Sequence, residues 1–359
     1  MGVVIDFFNE LGFNLNKDLL PVKVVIENSS KLNEKLKNTA FFFDSPNQTN
    51  TSFYFINEIL DEKELKEIRK YVWNENKADL LFYLKNDNLT KLVLQYAKVS
   101  PNVSDDDCEL DRFNISIEEQ EKLDKIQRWK FDSGIFWTNY QEFLIKSKKF
   151  KSIDKELVGT LEALKNQLNS AFSLVSDNTE KKEEYVQALI DRTLYIKYLE
   201  DNHIINSFFY EHHFKDSEVD YKKLLLNTDS IGLNKLFEII HNIFNNELFE
   251  KPTIPKKYLN SKICGLIQDS LNHNIEVGQL RLFDFRFDII PVEFISYIYE
   301  IFLTDKQKEN GIYYTPKKLA QLIVDDIIVE DEIGSVLDPS CGSGMFLITA
   351  FQRLLENSK

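Results

Sequence analysis

Apolar residues follow two patterns along the chain: short dense runs in its first third, and long stripes spaced three and four apart after it. In the first third, Phe7, Phe8, Leu11 and Phe13 read as core anchors and Val22 to Ile26 as a strand. Phe41-Phe42-Phe43 and Phe53-Tyr54-Phe55 are aromatic and extended, separated by a polar turn over Ser45 to Thr51. Leu60, Leu65, Ile68 and Val72 recur at helical spacing, which predicts an amphipathic helix over 61–72. Ala78 to Leu84 and Lys91 to Val99 predict two strands joined by a hairpin turn at Lys85-Asn86-Asp87-Asn88. Val103 to Asp124, with Asp105, Asp106, Asp107, Glu118 and Glu119, reads as a solvated linker or an exposed helix face.

From Ile153 the period becomes helical. Leu157, Leu161, Leu164 and Leu168 form one stripe, and Tyr185 to Leu199 is apolar nearly all round, the pattern of a buried helix. Within it Arg192 and Asp201 are candidates for buried polar anchors, with a bland surface pairing the alternative. Leu233 to Phe249 and Ser261 to Leu271 predict further helices, with Pro252 and Pro255 marking the loop between them. Ile290 to Leu303 predicts an apolar helix and Asp305 to Asn310 a polar loop. Thr315 suits an N-cap and Pro316 a first helical residue, after which Leu319, Leu322, Ile323 and Ile327 give the buried face.

The expected architecture is therefore mixed α/β and α: an α+β module over 1–150, a helical region over 151–303, and a third part over 304–359. Length agrees, since 359 residues suggest two or three domains. Forty-three per cent hydrophobic residues with eight prolines and eleven glycines argue against extended disorder. Lys and Arg number 44 against 58 Asp and Glu, a formal charge of −14, which opposes unguided binding to phosphate backbones but leaves room for a local basic groove. Lys146, Lys148, Lys149, Lys151 and Lys155 form the most basic stretch; it reads as a solvated run or a phosphate contact. Cys108, Cys264 and Cys341 are too few and scattered for a disulfide framework or a zinc site, so a reducing cytoplasm is the expected compartment. No secretory leader and no membrane-length apolar run is expected. Glu211-His212-His213 invites a metal, but adjacent side chains diverge on either regular structure, and no metal site is expected.

Candidate chemistry concentrates near the C-terminal end. Ser335 to Asp338 predicts a short strand that Pro339 terminates, because proline fixes φ and lacks an N–H. Gly342 and Gly344 let the backbone bend sharply and approach a ligand. Met345, Phe346, Leu347, Ile348, Ala350, Phe351, Leu354 and Leu355 predict a largely buried helix whose first free N–H groups point back into the loop. The loop lacks the Gly-Lys-Ser/Thr ending of a nucleoside-triphosphate loop and the third glycine of the dinucleotide fingerprint. A nucleoside ligand without phosphates fits better, of which S-adenosylmethionine is the common one. Gly342-Ser343-Gly344 alone also fits an ordinary strand-to-helix turn.

Taken together, Gly311-Ile312-Tyr313-Tyr314-Thr315-Pro316 and Leu337-Asp338-Pro339-Ser340-Cys341-Gly342-Ser343-Gly344-Met345-Phe346-Leu347 resemble the adenine-N6 DNA methyltransferases of restriction-modification systems. The match is nearest to the large fused, type IIG-like enzymes and their phage-defence relatives. The resemblance implies that residues 304–359 open a Rossmann-like methyltransferase fold with its first βα unit. It implies S-adenosylmethionine held from two sides, by Tyr313, Tyr314, Thr315 and Pro316 on one and by Asp338, Pro339, Ser340, Cys341, Gly342, Ser343 and Gly344 on the other, with Phe346 packed nearby. It also implies double-stranded DNA as partner, with the target adenine flipped out of the duplex. Phe131 to Trp137, Leu189 to Asn202 and the helix over Ile290 to Leu303 are similar to segments that precede the cofactor motif in the same family.

The departures set the alternatives. The family's catalytic Asn-Pro-Pro-Tyr or Asp-Pro-Pro-Tyr occurs nowhere in these residues, and the acidic residue expected about 20 residues past the loop to hold ribose hydroxyls falls at or beyond Lys359. No catalytic residue is therefore assigned, and the chain is expected to be inactive alone. It is either the N-terminal part of such an enzyme, one half of a split enzyme completed by a second polypeptide, or a non-catalytic DNA- or protein-binding subunit. Asp79 and Lys98 on neighbouring strands resemble the restriction-nuclease core, but Tyr96 stands where its second carboxylate belongs, which leaves a degenerate nuclease-like module or an unrelated α+β one.

Overall fold

The computed structural model describes residues 2–14, 17–26, 29–44, 51–87, 89–114, 120–147, 152–175, 179–216, 218–244, 247–250, 253–272, 282–290, 315, 317–328, 335–341 and 344–357. The chain divides into two compact units, Met1–Ile289 and Ile290–Lys359.

The first unit opens with a six-stranded sheet in sequential order, β1 (Leu20–Pro21), β2 (Ala40–Phe43), β3 (Phe53–Ile59), β4 (Leu80–Asp87), β5 (Leu89–Tyr96) and β6 (Glu109–Asn114). All neighbours are antiparallel except β3 and β4, which run parallel with Phe53 opposite Leu80 and Phe55 opposite Phe82. A parallel pair needs a crossover, and helix α3 (Glu62–Glu75) supplies it, after α1 (Gly2–Glu10) and α2 (Ser30–Leu36). Asp61 starts α3 with a capping box, accepting the Glu64 N–H while the Glu64 carboxylate accepts the Asp61 N–H.

Both faces of the sheet are covered, and strand alternation sorts the side chains between them. Phe41, Phe43, Phe53, Phe55, Phe82, Leu92 and Leu94 meet Phe7, Phe8, Phe13, Phe131 and Phe136 on one face. Ala40, Tyr54, Ile56, Leu81, Tyr83 and Val93 meet Leu32, Leu36, Leu65, Ile68 and Val72 on the other. Phe8 lies 4.4 Å from Phe55 and Phe131 4.5 Å from Phe136, centroid to centroid, contacts that add to the area buried.

Three local expectations are corrected. Residues 22–26 are not a strand: the N–H of Val22 still bonds Ala40 O, but Ile26 N instead donates to Asn33 Oδ1, so a side chain takes over from the ladder. The β4–β5 hairpin runs past the expected turn, with Lys85 opposite Lys91 and Asp87 opposite Leu89, because cross-strand pairing continues through the polar residues; Asn88 lies outside the described residues. The acidic stretch is not simply solvated. It contains a short helix, Asp105–Cys108, and β6, and carboxylates of both find partners: Arg69 pairs with Asp105, Arg112 with Glu109, and Lys125 with Asp111 at 3.3 Å. Charge along an edge strand is one way of blunting it against further pairing.

The helical part holds α4 (Ile153–Ser173), α5 (Thr179–Asp201), α6 (Ser207–Phe214), α7 (Tyr221–Leu226), α8 (Ser230–Phe244) and α9 (Ser261–Ser270). The leucine stripe of α4 is buried as expected. Arg192 is a buried polar anchor, while Asp201 is only half-buried. Arg192 is buried, donates from Nε to Leu248 O at 2.8 Å and lies 4.8 Å over the Phe237 ring. Asp201 pairs with Lys197 at 2.8 Å and accepts the Phe287 N–H at 3.0 Å.

The second unit contains α10 (Lys317–Ile327) and α11 (Met345–Asn357), packed on each other. The helix expected over 290–303 and the loop over 305–310 lie outside the described residues. No helix among the described residues is long and apolar enough to cross a membrane.

Candidate cofactor site

The glycine loop and the start of α11 are the part of the second unit with the most unusual backbone. The Ser340 N–H donates to Asp338 Oδ1 at 3.0 Å, an Asx turn two residues long that fixes the chain as it leaves Asp338. The Gly344 N–H donates to Cys341 O at 2.7 Å, and Gly344 O accepts the Ile348 N–H at 2.9 Å, which starts α11. Gly344 has φ +80°, and a Cβ built on it would meet nothing within 4 Å. Open space beside a left-handed glycine is a place where a ligand can reach the backbone, and the loop on this count fits a nucleoside cofactor. Asp338 is half-buried, while Pro339, Ser340 and Cys341 are exposed. Phe346 is half-buried at the first turn of α11. Gly342 and Ser343 lie outside the described residues.

On the other motif, Thr315 is half-buried and stands two residues before Lys317, where α10 begins; Tyr313, Tyr314 and Pro316 lie outside the described residues. Arg353 and Asp325 pair at 3.7 Å across α10 and α11, and Arg353 Nε also reaches Ile328 O at 3.4 Å. Asp325 and Arg353 are each the ninth residue of their helix, counting from Lys317 and Met345.

Three expectations for this unit are corrected. Ser335 to Asp338 is not a strand, since no strand lies beside it among the described residues and Val336 and Leu337 are exposed. The buried face of α10 is not Leu319, Leu322, Ile323 and Ile327. Ala320 and Val324 are buried instead, small side chains that let α11 approach, and Leu322 and Ile327 stay 69% and 66% exposed. Helix α11 is only partly buried: Met345, Thr349 and Ala350 face inward while Phe351 is 64% exposed. Among the described residues, nothing covers the face of the helix pair that carries Leu322, Ile327 and Phe351.

Elsewhere, Asp79 and Lys98 form an ion pair at 2.8 Å, and Tyr96 packs on Trp137 and Phe143. The ring of His212 stacks on Phe208. Among the described residues no group of three or more His, Cys, Asp or Glu is placed to hold a metal ion. Lys146 and Lys155 are exposed, and residues 148–151 lie outside the described residues.

Residues 292–359 match the N-6 DNA methylase family. The chain resembles the adenine-N6 DNA methyltransferases of restriction-modification systems. It is 30% identical over 146 residues to the type I restriction enzyme MjaIX methylase subunit of Methanocaldococcus jannaschii, an alignment spanning 39% of this chain and 25% of that relative. It is 24% identical over 379 aligned residues to a putative type II restriction enzyme and methyltransferase of the same organism, spanning 84% of this chain and 31% of that relative. The chain thus covers about a quarter to a third of the length of these relatives. No solved structure matches it. The methyl donor of the matched family is S-adenosylmethionine.

Proposed function

We propose that this chain is the N-terminal part of a site-specific adenine-N6 DNA methyltransferase of a restriction-modification or phage-defence system, working on double-stranded DNA in the cytoplasm. The observation that carries the reading is the Asx turn at Asp338 followed by the left-handed Gly344 at the start of α11, inside the segment that matches N-6 DNA methylases. S-adenosylmethionine would be held by Asp338, Pro339, Ser340, Cys341, Gly342, Ser343 and Gly344 with Phe346 beside them, and by Tyr313, Tyr314, Thr315 and Pro316 from the neighbouring helix start. The cofactor supplies an electrophilic methyl group, and the chain's own task is to position it.

The division of labour follows the sequence: an α+β module over 1–150, either a degenerate nuclease-like domain or an unrelated one, a helical region over 151–303, and the opening of a Rossmann-like domain from 304. The Asn/Asp-Pro-Pro-Tyr that would meet the flipped adenine is not among these residues. Further polypeptide, continuous or separate, would supply it, and the uncovered apolar face on α10 and α11 supports that completion over a self-contained binding subunit.

Calorimetric titration with S-adenosylmethionine, first of the chain and then of the chain with the product of the neighbouring gene, tests the reading. Binding to the chain alone supports a preformed cofactor site; binding only with the neighbour supports a split enzyme. Silence in both defeats the proposal and leaves the loop as a remnant in a binding subunit.

A further inference from the structure

The α+β module and the helical part belong to one compact unit, Met1–Ile289, yet no described helix or strand of the module packs broadly on a helix of the helical part. Residues 282–290 lie between them. The single turn Leu282–Asp284 packs on α4, and Leu282, Phe285, Phe287 and Ile290 are buried. Buried main chain outside helices and sheets needs partners for its N–H and C=O groups, and here side chains from both parts supply them.

From the module, Asn74 of α3 grips the chain on both sides of Phe285: its Nδ2 donates to Asp284 O at 3.1 Å, and its Oδ1 accepts the Arg286 N–H at 2.8 Å. Lys70, one turn earlier, pairs with the Asp284 carboxylate, and Arg286 Nη1 donates to Val25 O at 3.3 Å. From the helical part, Asp201 Oδ2 accepts the Phe287 N–H at 3.0 Å, and Asn202 Nδ2 donates to Phe287 O at 3.2 Å. The rings divide the same way. Phe285 lies against Trp73 of the module, and Lys197 of α5 sits 5.5 Å over the Phe287 ring.

Within four residues the chain passes from the grip of one part to that of the other. We propose that residues 284–287 are a latch: they hold the α+β module and the helical part as one body, and once freed they let the two move independently while each stays folded. Each part has its own means of staying folded. The sheet carries a core on both faces, and α4 packs on both α5 and α9. The second unit begins at Ile290, three residues after Phe287, so the latch sits where the chain leaves for the segment with the cofactor motifs.

The test is amide hydrogen exchange and small-angle scattering of the full chain and of the double variant Asn74→Ala with Asn202→Ala, which removes three of these bonds. In the parent the Arg286 and Phe287 amides should be protected. In the variant they should exchange at least about tenfold faster while amides of β4 and α4 keep their rates, and the radius of gyration should rise. Asn260→Ala, which removes the cap of α9, is the control for lost stability alone and should change neither the two amides nor the radius. If the double variant does not fold, Asn202→Ala replaces it, with a smaller gain at the same amides. Unprotected Arg286 and Phe287 in the parent, unchanged exchange there in the variant, exchange that quickens in β4 and the latch together, or an unchanged radius once the latch is free would overturn the proposal.

Discussion

The main-chain N–H of Arg286 donates to Oδ1 of Asn74 at 2.8 Å, joining residues 212 positions apart, and Asn74 Nδ2 donates in return to Asp284 O at 3.1 Å. Asn74 thus acts as a two-sided main-chain clamp. Lys70 pairs with Asp284 at 3.1 Å beside it, the Trp73 ring lies 5.4 Å from Phe285, and Asn202 Nδ2, just past the end of α5, reaches Phe287 O at 3.2 Å. Residues 284–287 are therefore held by α3 of the β-sheet module and by the C-terminal end of α5. Asn74→Ala removes both of these hydrogen bonds to part-buried main-chain groups, and should cost about 1–3 kcal/mol in urea unfolding at unchanged m-value.

Two glycines should respond in opposite directions to the same change. Gly344→Ala meets no atom, so its cost comes from the left-handed backbone alone, about 1 kcal/mol or more. Gly159 lies within α4, where an added Cβ also meets nothing, and Gly159→Ala should stabilise by about 0.5–1 kcal/mol. Thermal melts of both variants check the pair, and S-adenosylmethionine titration of Gly344→Ala checks the proposed role.

Burial pushes the Asp191 carboxyl up to about 6, against the opposing Gln187 hydrogen bond and the Lys165 and Arg192 charges. A raised carboxyl binds protons more tightly folded than unfolded, so stability falls as pH rises from about 4 to about 6. Asp191→Asn keeps the oxygen that accepts from Gln187 and removes the ionisation. It should flatten that part of the stability profile and raise stability at neutral pH by at most about 3 kcal/mol, as urea unfolding across pH would read.

The uncovered stripe of α10 predicts self-association of the isolated chain. Leu322→Glu with Ile327→Glu should reduce it in sedimentation while changing stability by less than about 0.5 kcal/mol, since both side chains are already mostly in water.

Local pattern determined much of this protein. The aromatic strands, the apolar face of α3, the leucine stripe of α4 and the glycine loop were legible because each depends on residues a few positions apart. So was the resemblance to N-6 DNA methylases, carried by two short strings near the C-terminal end. Tertiary structure decided the rest. It made β6 a strand, because Leu92, Val93 and Leu94 of β5 offered an open edge to an otherwise unpromising acidic stretch. It chose Ala320 and Val324 over four larger apolar residues as the contact of α10, because close helix approach needs small side chains there. Periodicity shows which residues share a face, but only packing decides which face is covered, and the clamp at Asn74 joins residues too distant in sequence for any local signal.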